Sequence, residues 1–104
     1  MSDVNAIMAT MREKFDADAA QDIDAVLQFN LNEGDQFCAV IKGTDIEVVA
    51  GAQEDPTVTL MLDGDTLADI LEGEADGMTC FMTGQLQVDG DMMLAGQITE
   101  LFPA

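Results

Sequence analysis

The side chains that could do chemistry in this 104-residue chain are almost all carboxylates. Asp and Glu number 21 against three Lys and Arg, so the formal net charge is -18. The chain has no histidine and one serine, Ser2, and therefore lacks the usual general base and a buried serine nucleophile. Cys38 and Cys80 form no CxxC pair and are typical of buried thiols in a reducing compartment. We therefore expect no histidine-based or serine-based catalytic residue, no metal and no cofactor.

The aspartates do not have the spacing of a calcium loop. In the segment that begins at Asp63, the fifth and sixth positions are Leu67 and Ala68, where an EF-hand needs an oxygen ligand and a glycine. The segment from Asp16 departs from the pattern as well. A small hydrolase that uses two carboxylates stays open as an alternative, but so acidic a chain brings carboxylates together by chance.

The acidic balance also excludes classes of partner. Nucleic-acid binding requires a cluster of Lys and Arg, and docking on an anionic membrane requires the same kind of surface. Arg12, Lys14 and Lys42 cannot supply either. The sequence shows no apolar run long enough to span a membrane and no signal peptide, so we expect a cytoplasmic location. The charge leaves the oligomeric state open, and the excess of Asp suggests adaptation to high salt as a hypothesis about habitat.

Apolar residues near the N-terminus repeat at helical spacing and then alternate. A helix over residues 4–15 is predicted behind a possible N-cap at Ser2. Four strands follow, joined by short connections, and we interpret them as an antiparallel meander with one face covered. The residues that share that face are Leu27, Phe29, Leu31, Phe37, Ala39, Ile41, Ile46, Val48, Ala50, Val58, Leu60 and Leu62.

Helical spacing returns after the fourth strand. Asp63, Asp76 and Asp91 are each predicted to cap a helix, the last running to near Pro103, with a brief strand before it. The element order predicts an α+β fold in a single domain over residues 1–104. The apolar residues of these three helices are Leu67, Ile70, Leu71, Met78, Phe81, Met82, Leu94, Ile98 and Leu101. Met92 and Met93 lie beside the apolar face of the last helix. Such a cluster of methionines is typical either of an irregular core or of a surface that accepts varied apolar ligands.

Three segments, in this order and spacing, resemble the sterol carrier protein 2 family. DGMTCFMTGQLQVDGD, residues 76–91, is similar to the family's short helix, strand and entry to the last helix. Residues 15–51, FDADAAQDIDAVLQFNLNEGDQFCAVIKGTDIEVVAG, are similar to its opening hairpins, and VTLMLDGDTLADILEG, residues 58–73, to its strand followed by a helix. The resemblance implies an α+β fold, a five-stranded, mostly antiparallel sheet covered by helices, with an apolar lipid tunnel.

The resemblance also implies a function and a set of site residues. It implies non-catalytic binding or transfer of a hydrophobic lipid, such as a fatty acid, a sterol-like molecule or an isoprenoid. Bacterial family members imply an alternative, an accessory module for an enzyme complex such as that of ubiquinone biosynthesis. Carried onto this sequence, the apolar ligand-binding wall comprises Met78, Phe81, Met82, Leu94, Ile98 and Leu101, with Phe29 and Met61 on the strands.

This sequence departs from the family in charge. The family commonly has lysines in the strand where Gln85 and Gln87 stand here. The departure argues against recognition of a coenzyme A head group and against transfer by contact with anionic bilayers. A neutral lipid, or a fatty acid that a partner protein delivers, fits the sequence better.

Overall fold

The computed structural model describes residues 4–21, 23–52 and 54–102. In those ranges, no helix is long and apolar enough to cross a membrane. The elements are α1 (Val4–Lys14), β1 (Asp24–Leu31), β2 (Gln36–Lys42), β3 (Asp45–Ala50), β4 (Val58–Leu62), α2 (Gly64–Glu72), α3 (Gly77–Met82), β5 (Leu86–Gly90), α4 (Met92–Gly96) and α5 (Ile98–Leu101).

The five strands form one sheet in the order β3-β2-β1-β4-β5. Three of the four strand pairs are antiparallel, and β1 pairs with β4 in parallel. The mostly antiparallel five-stranded sheet is thus confirmed, while the simple meander is wrong. The connection over residues 51–57 is longer than a hairpin turn. It joins β3, at one edge of the sheet, to β4, which lies beyond β2 and β1. Thr57, at its end, donates its backbone N–H to the Val26 carbonyl at 2.9 Å, which fixes β4 beside β1.

One face of the sheet carries the hydrophobic core. Alternation along β1 and β2 places Phe29 and Phe37 side by side on this face, where their rings stack with centroids 5.0 Å apart. From α1, Met11 is fully buried, and α1 packs near α2 and β3. Burial of this face against the helices is the main term that stabilises the fold.

The opposite face of the sheet contains a buried polar side chain. Gln28 is 3% exposed, and its amide nitrogen donates to the Asn30 side-chain oxygen at 3.0 Å and to the Phe37 carbonyl at 3.3 Å. The amide lies 3.5 Å from the Gly51 carbonyl at the start of the 51–57 connection. These hydrogen bonds satisfy the buried amide of Gln28 and link β1 to β2 and to the start of the 51–57 connection.

The helix caps follow the sequence prediction at two of three positions. The Asp76 and Asp91 side chains accept from the backbone N–H groups of Met78 and Leu94. Asp63 precedes α2 without a capping bond, and the Glu33 carboxylate accepts from the Gly64 N–H at 3.0 Å instead. The predicted last helix is two helices, α4 and α5, because Gln97 interrupts it. Ser2 and Pro103 lie outside the described residues.

Candidate functional site

The large apolar side chains that the described residues expose gather on two short helices, α3 and α4. They are Met78, Phe81, Met82, Met92 and Met93. The exposed fraction reaches 78% at Met82 and 79% at Met93. A soluble domain seldom leaves contiguous apolar side chains in water without using them for binding. This part of the molecule is therefore the candidate site.

Local features of the sequence hold the two helices beside β5. Asp76 and Asp91 fix the starts of α3 and α4, and Gly84, with φ of +84°, turns the chain from α3 into β5. At the other end of β5, Gly90 lies so close to the neighbouring strand that a Cβ there would stand 2.7 Å from the Thr57 carbonyl oxygen. The Asp91 N–H then donates to that same carbonyl at 3.2 Å, which anchors the start of α4.

An open apolar groove of about 500 Å³ lies between α3, β5 and α4. Its size falls in the ordinary range of small-molecule sites, about 300–1,000 Å³. Among the described residues that line it, no side chain is charged and Gln97 supplies the one polar side chain. The lining residues are Gly77, Met78, Phe81, Leu86, Val88, Met92, Met93, Ala95, Gly96 and Gln97.

A smaller cavity of about 40 Å³ lies next to the groove, toward the sheet. Phe29 and Leu60 from the sheet and Ile70 from α2 contribute to its wall, and so does Asp76. Both spaces share five lining residues: Gly77, Met78, Leu86, Ala95 and Gly96. Four of these have small or branched aliphatic side chains or none, whereas Met78 has a long, unbranched side chain that borders both spaces. The small cavity has no room for a lipid tail, and the enclosed tunnel that the resemblance implies stays a prediction.

The predicted site residues divide between the two spaces and the rest of the molecule. Met78 and Phe81 line the groove, while Phe29 and Ile98 line the inner cavity, which Met78 also borders. The other four border neither space. Leu94 and Leu101 are buried in the core, and Met82 points into solvent. Met61 alternates with Leu60 and Leu62, which line the cavity, and so lies on the opposite face of β4.

Several residues that form the groove lie outside the ligand-binding wall predicted from the sequence. Met92 and Met93 belong to the same methionine cluster as Met78, and that cluster was the available signal. Gly77, Ala95 and Gly96 contribute space and backbone instead of side chains. Nothing in hydrophobic periodicity marks such residues, because the pattern records only which side chains are apolar.

Two of the three cationic side chains, Arg12 and Lys42, lie on the side of the sheet away from the groove, and Lys14 ends α1. The Arg12 guanidinium donates to the Val48 carbonyl on β3, the edge strand opposite β5, and Lys42 ends β2. Four strand spacings separate β3 from β5, or about 19 Å. That is more than twice the Debye length of about 8 Å at physiological salt. Acids lie near the groove instead, with Asp76 and Asp91 at the starts of α3 and α4.

A thiol lies buried beneath α3. Cys80 is 3% exposed, and burial raises its pKa, with smaller contributions from the nearby carboxylates of Asp76 and Asp69. Its sulfur therefore stays protonated and unreactive at neutral pH. A carboxylate cluster of Asp69, Glu72 and Glu74 has side-chain oxygens within 4.8 Å of one another, at the end of α2 and just beyond it. Such a cluster has the chemistry to attract a cation, but none of its three residues lines the groove.

Comparisons with known proteins identify the fold and the family. No curated protein sequence matches the chain. Sterol Carrier Protein 2 from Yarrowia lipolytica, in its apo form, is 24% identical with a TM-score of 0.74, and the match covers 94% of this chain and 91% of that one. UbiJ-SCP2, a ubiquinone synthesis protein, is 14% identical with a TM-score of 0.64 over 92% of this chain and 76% of its own.

A much larger enzyme contains the same fold. The stereoselective inverting sec-alkylsulfatase Pisa1 from Pseudomonas sp. is 22% identical with a TM-score of 0.79 over 88% of this chain, yet this chain spans only 15% of the sulfatase's length. At these identities the likeness to solved structures establishes the fold. The model of the SCP-2 sterol transfer family matches residues 4–103, nearly the full length. The chain therefore belongs to the SCP-2 sterol transfer family.

Proposed function

We propose that this protein binds, and transfers without chemical change, a hydrophobic lipid whose tail lies in the groove between α3, β5 and α4. The carrying observation is the groove itself, about 500 Å³ with no charged side chain in its lining, bordered by exposed methionines. Family membership supports the same function. Residues 1–104 act as one lipid-binding domain in this proposal.

Burial of the tail supplies the affinity. Each methylene group that leaves water contributes about 0.8 kcal/mol. A tail of about a dozen carbons therefore gains roughly 10 kcal/mol, and the loss of translational and rotational freedom offsets part of it. If that loss is about 4 kcal/mol, the remaining roughly 6 kcal/mol corresponds to a Kd of tens of micromolar, and a longer tail binds more tightly. Because unbranched Met78 borders both the groove and the inner cavity, a turn of its side chain would extend the path of the tail toward Phe29 and Ile98.

The charges favour a lipid with an uncharged head group. A carboxylate or phosphate at the mouth of the groove would lie near Asp76 and Asp91 and meet no compensating cation among the described residues that line the groove. Arg12 is about 19 Å away across the sheet, so it is screened. Long-chain alcohols, esters, sterol-like molecules and isoprenoids fit this surface better than free fatty acids or acyl-coenzyme A.

A variant that fills the groove tests the proposal. A Cβ at Gly96 would meet no atom within 4 Å, and the residue ends α4, where leucine is a better helix former than glycine. We expect Gly96→Leu to lower affinity for a fluorescent long-chain alcohol at least about tenfold while the thermal midpoint stays level or rises. The matched control is Gln87→Leu, which adds leucine to the exposed, opposite side of β5 and should leave affinity unchanged.

The same assay separates the head groups. We expect hexadecanol to displace the probe from the unmodified protein more effectively than palmitate at low salt, with the gap narrowing as salt rises. Native mass spectrometry of the purified protein should show a co-purified uncharged lipid. Absence of both a co-purified lipid and probe binding would refute lipid binding itself, whereas equal displacement by palmitate at all salt concentrations would refute only the head-group preference.

An accessory role beside an enzyme is the second candidate. Two solved relatives favour it: UbiJ-SCP2, a ubiquinone synthesis protein, and the sulfatase, in which this fold forms part of a longer chain. In this role the groove would hold a lipid substrate for a partner enzyme. Affinity capture with the two variants as baits distinguishes the roles. An enzyme that recognises the lipid-filled groove should be recovered with Gln87→Leu and lost with Gly96→Leu.

A further inference from the structure

We propose that Met78, Met92 and Met93 form an oxidation site at which hydroperoxides convert the thioethers to sulfoxides and so release the bound lipid. This inference rests on the proposed function, because it concerns the groove that would hold the lipid. It adds a property that the apolar character of the groove does not require, since leucine would provide the same hydrophobic wall.

The most exposed methionines of the described residues lie at or beside the groove. Met78, Met92 and Met93 expose 57%, 53% and 79% of their surface and line it directly, while Met82 is equally open to water but does not line it. Methionines elsewhere are better protected: Met11 is fully buried in α1, and Met8 beside it and Met61 on β4 are at most partly exposed.

The thiols do not compete for the oxidant. Cys38 is fully buried in β2, and Cys80 is 3% exposed beneath α3. Burial and nearby carboxylates raise the pKa of Cys80, which keeps it in the less nucleophilic thiol form. A small neutral peroxide also approaches this surface without the repulsion that the charge of -18 imposes on anionic oxidants.

The reaction is a two-electron oxygen transfer. A sulfur lone pair attacks the terminal oxygen of the hydroperoxide, an S–O bond forms, and the O–O bond breaks. The proton of that terminal oxygen moves to the departing oxygen, so the hydroperoxide becomes an alcohol, or water in the case of hydrogen peroxide. The sulfur is oxidised to the sulfoxide and the peroxide is reduced.

The product disfavours a lipid tail in the groove. A sulfoxide oxygen is a strong hydrogen-bond acceptor, and a tail that covers it removes its water. Gln97 is the one side chain of the lining with an N–H donor, so it cannot satisfy three sulfoxides at once. We expect oxidation of the three methionines to weaken binding of an uncharged lipid at least about tenfold.

The test compares oxidised and reduced forms of the same protein. Hydrogen peroxide would be titrated while peptide mass spectrometry scores each methionine, and affinity for the fluorescent long-chain alcohol would be measured at each stage. Met78, Met92 and Met93 should be oxidised before Met8 and Met11, with affinity falling in step. Treatment with methionine sulfoxide reductases should restore it. Far-ultraviolet circular dichroism should show an unchanged fold throughout.

Two variants test whether oxidation of these three methionines causes the loss of affinity. Leucine substitution nearly conserves the volume of methionine. Met78→Leu, Met92→Leu and Met93→Leu combined in one chain should make affinity independent of peroxide, when the oxidised protein is compared with its own reduced form. The control, Met82→Leu, removes the exposed methionine outside the groove and should leave the response to peroxide as it is in the unmodified protein.

The possible results distinguish failure of the proposed lipid binding from failure of the proposed oxidation site. Failure of the reduced protein to bind the probe would overturn the proposed function. Normal binding by the reduced protein, with the same affinity after the three methionines are oxidised, would overturn the oxidation site and leave lipid binding intact. A loss of affinity that appears only with loss of the circular dichroism signal, or that persists in the triple leucine variant, would overturn it too.

Discussion

Gly90 occupies a position where an added methyl group should destabilise the protein and disturb the groove together. It is the last residue of β5, its φ is +110°, and a Cβ there would lie 2.7 Å from the Thr57 carbonyl oxygen and 3.1 Å from the Val58 Cα. Both neighbours are backbone atoms of the adjacent strand and its entry. Gly90→Ala can therefore be accommodated only if β5 moves away from β4.

The size of the effect follows from two terms. A left-handed or otherwise sparsely populated backbone conformation costs a non-glycine residue about 1–3 kcal/mol. Relief of the close contact adds about 1–3 kcal/mol, as overpacking does in cores. Gly34 has the same φ of +110°, but a Cβ there would meet no atom within 4 Å. Gly34→Ala therefore carries only the first term, and the difference between the two variants isolates the contact at about 1–3 kcal/mol.

The assay is urea unfolding of both variants, paired with the affinity for the uncharged probe. Gly90 precedes Asp91, whose backbone binds Thr57 and whose side chain caps α4, so movement at Gly90 passes directly to one wall of the groove. We expect Gly90→Ala to lower both the free energy of unfolding and the affinity, and Gly34→Ala to lower only the former. Equal free energies for the two variants, within about 0.5 kcal/mol, would refute the role assigned to the close contact.

Three further predictions concern the residues around the site. Asp91→Ala removes the bond to the Leu94 N–H and should lower the free energy of unfolding by about 1 kcal/mol, whereas Asp91→Asn should retain most of it; urea unfolding compares them. Phe102→Ala empties a fully buried site beside Phe15 and should lower the free energy of unfolding by about 3–5 kcal/mol, while Phe81→Ala at the exposed groove should lower probe affinity with little effect on unfolding. Burial raises the pKa of Cys80, so the unfolded chain releases the thiol proton at a lower pH than the folded chain does. The free energy of unfolding should therefore fall as pH rises above the ordinary thiol pKa of about 8.5. Urea unfolding from pH 7 to 10 should show a less steep fall for Cys80→Ala than for the unmodified protein.

The sequence predicted the helices and strands apart from the break at Gln97, but it did not predict that β4 lies beside β1. Alternation identifies Leu27, Phe29 and Leu31 as one face of a strand because side chains alternate strictly along it. Alternation carries no information about which strand lies beside which. The choice between a meander and the observed β1–β4 pair depends on the course of residues 51–57, whose backbone binds at Val26, far away in sequence.

The site was predicted in part for a similar reason. Helical spacing puts Leu94, Ile98 and Leu101 on one stripe, but the break at Gln97 separates them into two helices, and only Ile98 borders a cavity. Apolar character alone cannot distinguish Met82, which is in solvent, from Met78, which borders both spaces. That distinction requires the position of β5 relative to α3.

The acidic surface and the open apolar groove are physically connected. Exposed apolar side chains such as Met93 on α4 favour self-association through the hydrophobic effect, and a charge of -18 opposes it by repulsion between copies. The same field repels anionic head groups, because the described residues that line the groove include no cation and Arg12 contacts β3, the edge strand opposite β5. A surface of this kind can keep an apolar groove open to water and still select among lipids. Burial stabilises the bound tail, whereas the negative charge repels an anionic head group and not an uncharged one.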